Sequence, residues 1–252
     1  MRIAMAGMPA AGHVNPSLPL VRELVRRGVQ VTYYTGEQFR APVERTGAEF
    51  RPYPAGSLSA RDIAEATRSG SPMRVVTRIL TATESLLPFL QDELHAMRPD
   101  AVAFDSNAVW GRMAADGAGL PTISFMTTML LPGSEFRVLT AREWLAFLPA
   151  AVADLPGTLA AKRRVVRRFG PQLFPPRPAF PTRGDLTIFP VPRRLQPPDP
   201  RIDETCHYIG PTIDPQTRGD DLDAELAAHL DHPEPAVLVS LGTLHAGSTA
   251  FF

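Results

Sequence analysis

The segment from Met1 to Thr35 constrains this chain most. A short apolar strand, Ile3 to Ala6, runs into Gly7-Met8-Pro9-Ala10-Ala11-Gly12-His13 and then into a helix, and a second strand from Val29 to Tyr34 completes a β-α-β unit. Asn15 reads as the N-cap and Pro16 as the first helical position, with Leu18, Val21, Leu24 and Val25 on the buried face and Gly28 as a left-handed stop. In an open parallel sheet, ligands sit beyond the carboxyl ends of the strands. This loop leaves such an end and sets His13 where α/β proteins do their chemistry. The bland reading of His13 is a solvated loop histidine.

The loop misses two phosphate-binding patterns, and both misses carry chemistry. As a P-loop, Gly7 and Gly12 are correctly separated, but His13 stands where a lysine should reach the phosphates and Val14 where a hydroxyl should hold magnesium. As a dinucleotide fingerprint, its second glycine is Pro9, where the backbone must approach a pyrophosphate. Nucleoside triphosphate hydrolysis and nicotinamide or flavin binding are therefore not expected, and no cofactor is.

The 252 residues, 44% of them apolar, suffice for one full α/β domain and part of a second. Basic and acidic residues are equal at 26 each, so no global field attracts nucleic acid or anionic lipid. The single cysteine, Cys206, excludes an internal disulfide or a thiolate metal cluster. With no signal peptide or membrane-length apolar run, a cytoplasmic protein is expected.

Strands are expected at Ala48 to Arg51, Ala101 to Phe104, Pro121 to Phe125, Asp185 to Phe189 and Cys206 to Ile209. A long helix is expected from Arg74 to Met97, bent at Pro88, and another from Ser106 to Asp116. Pro52 to Pro72 reads as a loop over a ligand cleft, and Met126 to Gly170 as helical pieces broken at Leu131-Pro132-Gly133 and Leu155-Pro156-Gly157. The alternation is that of a doubly wound parallel sheet. Residues 1–209 form this domain, 210–235 an acidic linker with one short helix, and 236–252 the first strand and loop of a second, incomplete domain.

Asp105 closes a strand as the Gly7 to His13 loop leaves one, so the two positions are expected to converge. A carboxylate behind an imidazole fixes its tautomer and stabilises its protonated form, as a general base requires. No Gly-x-Ser-x-Gly elbow supplies a nucleophile, so the substrate must bring the hydroxyl. The bland reading of Asp105 is an N-cap of the following helix.

Gly12-His13-Val14-Asn15-Pro16-Ser17-Leu18, Arg27-Gly28 through Tyr33, and Pro99-Asp100 through Asp105-Ser106 occur in an order that resembles the macrolide-type UDP-glycosyltransferases. Leu120 to Phe125, Tyr208-Ile209-Gly210-Pro211 and Val239-Ser240-Leu241-Gly242-Thr243 continue it in register. The resemblance implies a two-domain GT-B fold with facing Rossmann-like halves. It further implies metal-independent inverting transfer, in which His13 deprotonates an acceptor hydroxyl, Asp105 stabilises the imidazolium, and Gly242 and Thr243 face the donor diphosphate. UDP- or TDP-linked sugar would be the co-substrate. An apolar acceptor would lie against Pro9, the Pro52 to Pro72 excursion, Met73, Met126 and Met129. Read this way, the 252-residue chain lacks most of a donor site and is expected to bind nucleotide sugar negligibly by itself.

Three other features invite function. Asp221-Leu222-Asp223 has a metal-binding spacing but sits ahead of a helix it would cap; His229 and His232 lack further zinc ligands; Lys162 to Arg168 is a basic helical face without interleaved aromatics. Structural readings are favoured for all three. The competing functional reading is a non-catalytic acceptor-binding or partner protein built on the same first domain.

Overall fold

The computed structural model describes residues 1–68, 71–130, 140–176, 180–214, 223–231 and 237. The strands are β1 (Arg2–Ala6), β2 (Gln30–Thr35), β3 (Glu49–Pro52), β4 (Ala101–Asp105), β5 (Thr122–Phe125), β6 (Leu186–Phe189) and β7 (Cys206–Tyr208). They form one parallel sheet in the order β3-β2-β1-β4-β5-β6-β7. The chain winds outward from β1 in one direction and from β4 in the other. Their boundary is the topological switch point at which a doubly wound sheet opens its crevice.

Strand periodicity sorts side chains between two cores. Ile3, Met5, Val31, Tyr33 and Ala103 are buried with Val14, Leu18, Val21 and Val43 from α1 (Ala11–Val14), α2 (Leu18–Arg26) and α3 (Arg40–Glu44). Ala4, Ala6, Val102 and Phe104 face α4 (Ala60–Arg68), α5 (Pro72–Met97), α6 (Val109–Ala118) and α7 (Ala141–Phe169). A glycine is required on α6 at this point because the helix lies directly on the sheet. A Cβ on Gly111 would stand 2.7 Å from Phe104 Cβ and 2.9 Å from Ala6 Cβ.

Helix α5 buries Ile79, Leu80, Leu86, Leu87, Leu90 and Leu94 at helical spacing, each such side chain worth about 1.5–3 kcal/mol. Pro88 lies inside it and cannot donate to the carbonyl of Glu84. Arg168 of α7 replaces that donor, its Nη1 reaching Glu84 O at 2.9 Å, while Arg164 Nε meets Glu84 Oε1 at 2.9 Å. Lys162 lies 4.8 Å over the Phe174 ring. The basic stretch is thus partly a clamp between two helices.

Beneath the switch point, Trp110 Nε1 donates to Tyr53 Oη at 3.0 Å, and the two rings meet edge to face. Both residues are buried. Tyr53→Phe is expected to leave the indole N–H without its acceptor and cost about 1–3 kcal/mol, read as a lower urea midpoint at unchanged m-value. An unchanged midpoint would show that the indole finds another acceptor.

Several sequence expectations are corrected. The first helical run begins at Ala11, so Asn15, with φ −55° and ψ −43°, is no N-cap. Pro16, unable to donate, falls in a 3-10 turn at Asn15–Ser17 between α1 and α2. The Pro52 to Pro72 stretch contains α4, started by a reciprocal cap in which Ser59 N donates to Asp62 Oδ2 at 3.0 Å and Asp62 N to Ser59 Oγ at 3.2 Å. Helix α6 starts at Val109 rather than Ser106, because Ser106 and Asn107 complete the turn after β4. Helix α7 runs through Pro149 and Pro156, held to α5 by Arg74 to Asp154 and by Thr77 to Thr158. The break expected at Leu131-Pro132-Gly133 lies outside the described residues. So does the expected strand Ala236 to Leu241, apart from Val237. Among the described residues, no helix is long and apolar enough to cross a membrane.

Candidate functional site

His13 sits on α1 directly after β1. Ala10 O accepts from His13 N and Val14 N, both at 2.9 Å, which makes the turn rigid. Ser17 Oγ donates to Val14 O at 2.7 Å, so its other contact, 2.8 Å from Tyr33 Oη, must be donated by the phenol. Burial pushes the Tyr33 phenol up and keeps it neutral. A Cβ on Gly7 would lie 2.6 Å from the Tyr33 ring. This ring, rather than a phosphate, accounts for the glycine.

Asp105 ends β4, on the α2 side of the sheet by alternation from Ala103. Its Oδ1 accepts from Asn107 N at 2.9 Å, and its main-chain O accepts from Ala108 N at 2.7 Å. Ala108, not Asp105, is the N-cap of α6. The other carboxylate oxygen is therefore available: Oδ2 lies 2.9 Å from His13 Nδ1. Asp105 is 2% exposed, whereas the His13 side chain retains 16%.

Thr127 joins them. Its Oγ1 lies 2.8 Å from His13 Nδ1 and 2.8 Å from Asp105 Oδ2. Sequence reasoning missed this residue, although the β5 alternation Ile123, Phe125, Thr127 carries a hydroxyl past the strand end on the Asp105 side. Burial of the imidazole is the largest single influence and lowers the His13 pKa. The Asp105 charge and hydrogen bond together outweigh it, leaving the pKa raised above its ordinary value. Nδ1 is committed to this cluster, and Nε2 has no hydrogen bond among the described residues. The arrangement can take a proton at Nε2 and hold the resulting charge.

The remaining expected site residues are dispersed. Pro9 is buried in the turn before α1, and Met73 is half-buried at the start of α5. Met126 is 2% exposed, packed with Leu130 and Phe189, and so offers no surface to an acceptor. Met129 is 44% exposed. Gly242 and Thr243 lie outside the described residues. Asp223 caps α8 (Ala224–Leu230), its Oδ1 accepting from Glu225 N at 2.9 Å and Leu226 N at 3.2 Å; Asp221 and His232 are outside the described residues. After β7 the chain returns to the start of α2: Thr212 Oγ1 donates to Pro16 O in the preceding 3-10 turn at 2.6 Å, and Arg22 of α2 meets Asp214 at 2.7 Å. A groove lined by Arg2, Gln30, Thr32, Glu49 and Arg51 opens at the amino ends of β1 to β3, away from His13.

No family model matches the chain. It is 29% identical over 257 residues to demethyllactenocin mycarosyltransferase of Streptomyces fradiae, covering 96% of this chain and 53% of that protein. It is 27% identical over 244 residues to an NDP-glycosyltransferase of Bacillus licheniformis, covering 96% and 58%. The crystal structure of the glycotransferase of kitacinnamycin superimposes with a TM-score of 0.63 at 28% identity, over 88% of this chain and 54% of that one. The chain thus resembles natural-product glycosyltransferases along nearly its whole length, and its sheet is that of a GT-B amino-terminal domain. It spans between 53% and 58% of the curated relatives named here.

Proposed function

We propose that the protein serves glycosyl transfer from a nucleotide-diphosphate sugar to a hydroxyl of an apolar natural product. The observation that carries this reading is the His13–Asp105 pair at the switch-point crevice, 2.9 Å apart, with Nε2 unengaged among the described residues. His13 Nε2 takes the acceptor proton, and Asp105 holds the imidazolium. The acceptor oxygen forms a bond to the anomeric carbon as the bond from that carbon to the diphosphate oxygen breaks, with inversion because one displacement occurs. The nucleotide diphosphate leaves with the bonding pair.

This step asks nothing of a metal for deprotonation, and Asp223 of the D-x-D is engaged as a helix cap. We therefore infer metal-independent transfer. The resemblance assigns Gly242 and Thr243 to the donor diphosphate. Of the methionines expected at the acceptor, Met129 is exposed and Met73 half-buried, which suits them to contact it.

The test is a transfer assay with UDP- and TDP-glucose and a panel of apolar alcohols, on the polypeptide at its full natural length. EDTA should leave turnover unchanged. Acceptor binding without transfer to any of them would instead favour the non-catalytic reading, and activity lost to EDTA and restored by manganese would reverse the metal assignment.

The raised His13 pKa fixes the direction of the pH dependence. Transfer needs the free base, so activity should rise with pH through a midpoint above the ordinary value of about 6.5. Stability runs oppositely: the protonated pair contributes fully below that ordinary value, and its contribution is lost as pH rises through the folded one. Asp105→Asn removes both raising influences and leaves burial, so the activity midpoint should fall. A midpoint that stays in place would detach Asp105 from the titrating group.

A further inference from the structure

The proton inventory of the His13 cluster is overdetermined, and it assigns a part to the third member. Three polar atoms form a closed triangle: His13 Nδ1 to Asp105 Oδ2 is 2.9 Å, Thr127 Oγ1 to His13 Nδ1 is 2.8 Å, and Thr127 Oγ1 to Asp105 Oδ2 is 2.8 Å. A carboxylate only accepts, and a hydroxyl has one proton to give. If Thr127 gave its proton to Nδ1, two lone pairs would face each other across the His13–Asp105 edge. Only one arrangement satisfies every edge: Nδ1 carries the proton and shares it between Asp105 Oδ2 and Thr127 Oγ1, and the hydroxyl donates to Asp105 Oδ2.

We propose that Thr127 is a positioning residue of this site, dividing the pull of Asp105 between the His13 ring and its own hydroxyl and so keeping Nε2 as the free basic nitrogen. This deepens the glycosyl-transfer reading and, for its effect on turnover, rests on it. The turn that presents Thr127 is fixed by its own backbone, since Thr127 N donates to Phe125 O at 3.1 Å. Asp105 Oδ1 is held separately by Asn107 N, so the hydroxyl acts on the oxygen that faces the ring.

Among the described residues, the groups besides His13 whose protonation responds to this carboxylate are phenols. Tyr33 from β2 is bonded to Ser17 and Tyr53 after β3 to Trp110, and burial pushes both phenols up, so neither adds charge near neutrality. Among the described residues, no Lys, Arg or second carboxylate influences His13. The charge on the ring is thus governed by Asp105 and by whatever shares it.

Removing the hydroxyl returns the whole of the Nδ1–H bond to Asp105 and frees Oδ2 from a competing donor. Both changes strengthen the hold of Asp105 on the imidazolium. Thr127→Val keeps the shape of the side chain, and Thr127→Ser keeps the hydroxyl. Nitrogen-15 and carbon-13 NMR titration of His13 in the folded protein, without donor or acceptor, is the direct measurement. The expected result is proton binding tightened about threefold in Thr127→Val and restored in Thr127→Ser, with the neutral ring protonated at Nδ1 in the unsubstituted protein.

In a transfer assay the acid limb of kcat should move upward in Thr127→Val with KM for the acceptor unchanged, because the hydroxyl is turned toward the dyad. An unchanged or weakened proton affinity in a folded Thr127→Val protein overturns the proposal, as does a neutral ring protonated at Nε2. Absence of transfer by the unsubstituted protein would count against the glycosyl-transfer reading alone, because the titration needs no turnover.

Discussion

Replacement of His13 by alanine is expected to lower turnover about 10²–10⁴-fold, the usual worth of a positioned general base. Donor binding should be almost unaffected, because the imidazole acts on the acceptor hydroxyl and not on the nucleotide. The measurement pairs kcat for transfer with calorimetric binding of the nucleotide sugar, on the polypeptide at its full natural length. Turnover within a few-fold of normal would remove His13 from the base role, whatever its contact with Asp105. A loss confined to nucleotide affinity would move the residue to the donor side. The stability of His13→Ala supplies the control: among the described residues the side-chain edges broken are those to Asp105 and Thr127, and the removed side chain is 16% exposed.

A second large effect is expected far from that chemistry, at Gly184. The glycine precedes β6 where the chain lies almost against β5: an added Cβ would stand 2.7 Å from Ser124 N, 2.8 Å from Leu186 O and 2.8 Å from Thr122 O. All three are main-chain atoms of the parallel ladder and cannot swing aside as a side chain can. Overpacking against movable groups costs about 1–3 kcal/mol. Gly184→Ala should reach or pass the upper end of that range, lowering Tm by roughly 6–12 °C in a protein of this size. It should also loosen the reciprocal bonds between Thr122 and Asp185, where Asp185 N donates to Thr122 Oγ1 at 2.9 Å and Thr122 N to Asp185 Oδ2 at 2.9 Å. A melting temperature within 2 °C (about 0.5–1 kcal/mol) of the unsubstituted protein would mean that this contact is not rigid.

The sheet was readable because its strands are short apolar runs separated by helical spacing, and the observed bounds shift by only a residue or two. What escaped were local contests between side chain and backbone. Ser59 and Asp62 start a helix inside an apparent loop through a pattern spread over one turn, easily hidden among Gly, Ser and Pro neighbours. Pro16 and Asn15 look like a helix start only if Ala11 to Val14 is assumed to be loop, and there the helix preference of Ala11 is opposed by Gly12. Pro156 looks like a break only if the helix must stand alone, whereas α7 rests along α5.

At the candidate site, His13 and Asp105 were legible from their shared structural address. Thr127 was not, because a threonine after a strand is ordinary in sequence and acquires meaning only from three distances. Met126 illustrates the reverse error: adaptable and apolar, it suits a ligand wall, yet it fills a small core with Leu130 and Phe189.

The placement of the two principal residues has a kinetic consequence. His13 and Asp105 are 92 positions apart in the chain, and they meet only when β1 and β4 pair across everything wound between them. A contact of that sequence separation forms after the local helices and the adjacent β1–β2 pairing, because the closure of a long loop must be met before the contact rewards it. The perturbed titration of His13 is therefore a clock on assembly. During refolding its imidazole should keep an ordinary proton affinity while helical signal recovers, and change only as the central pair of strands closes.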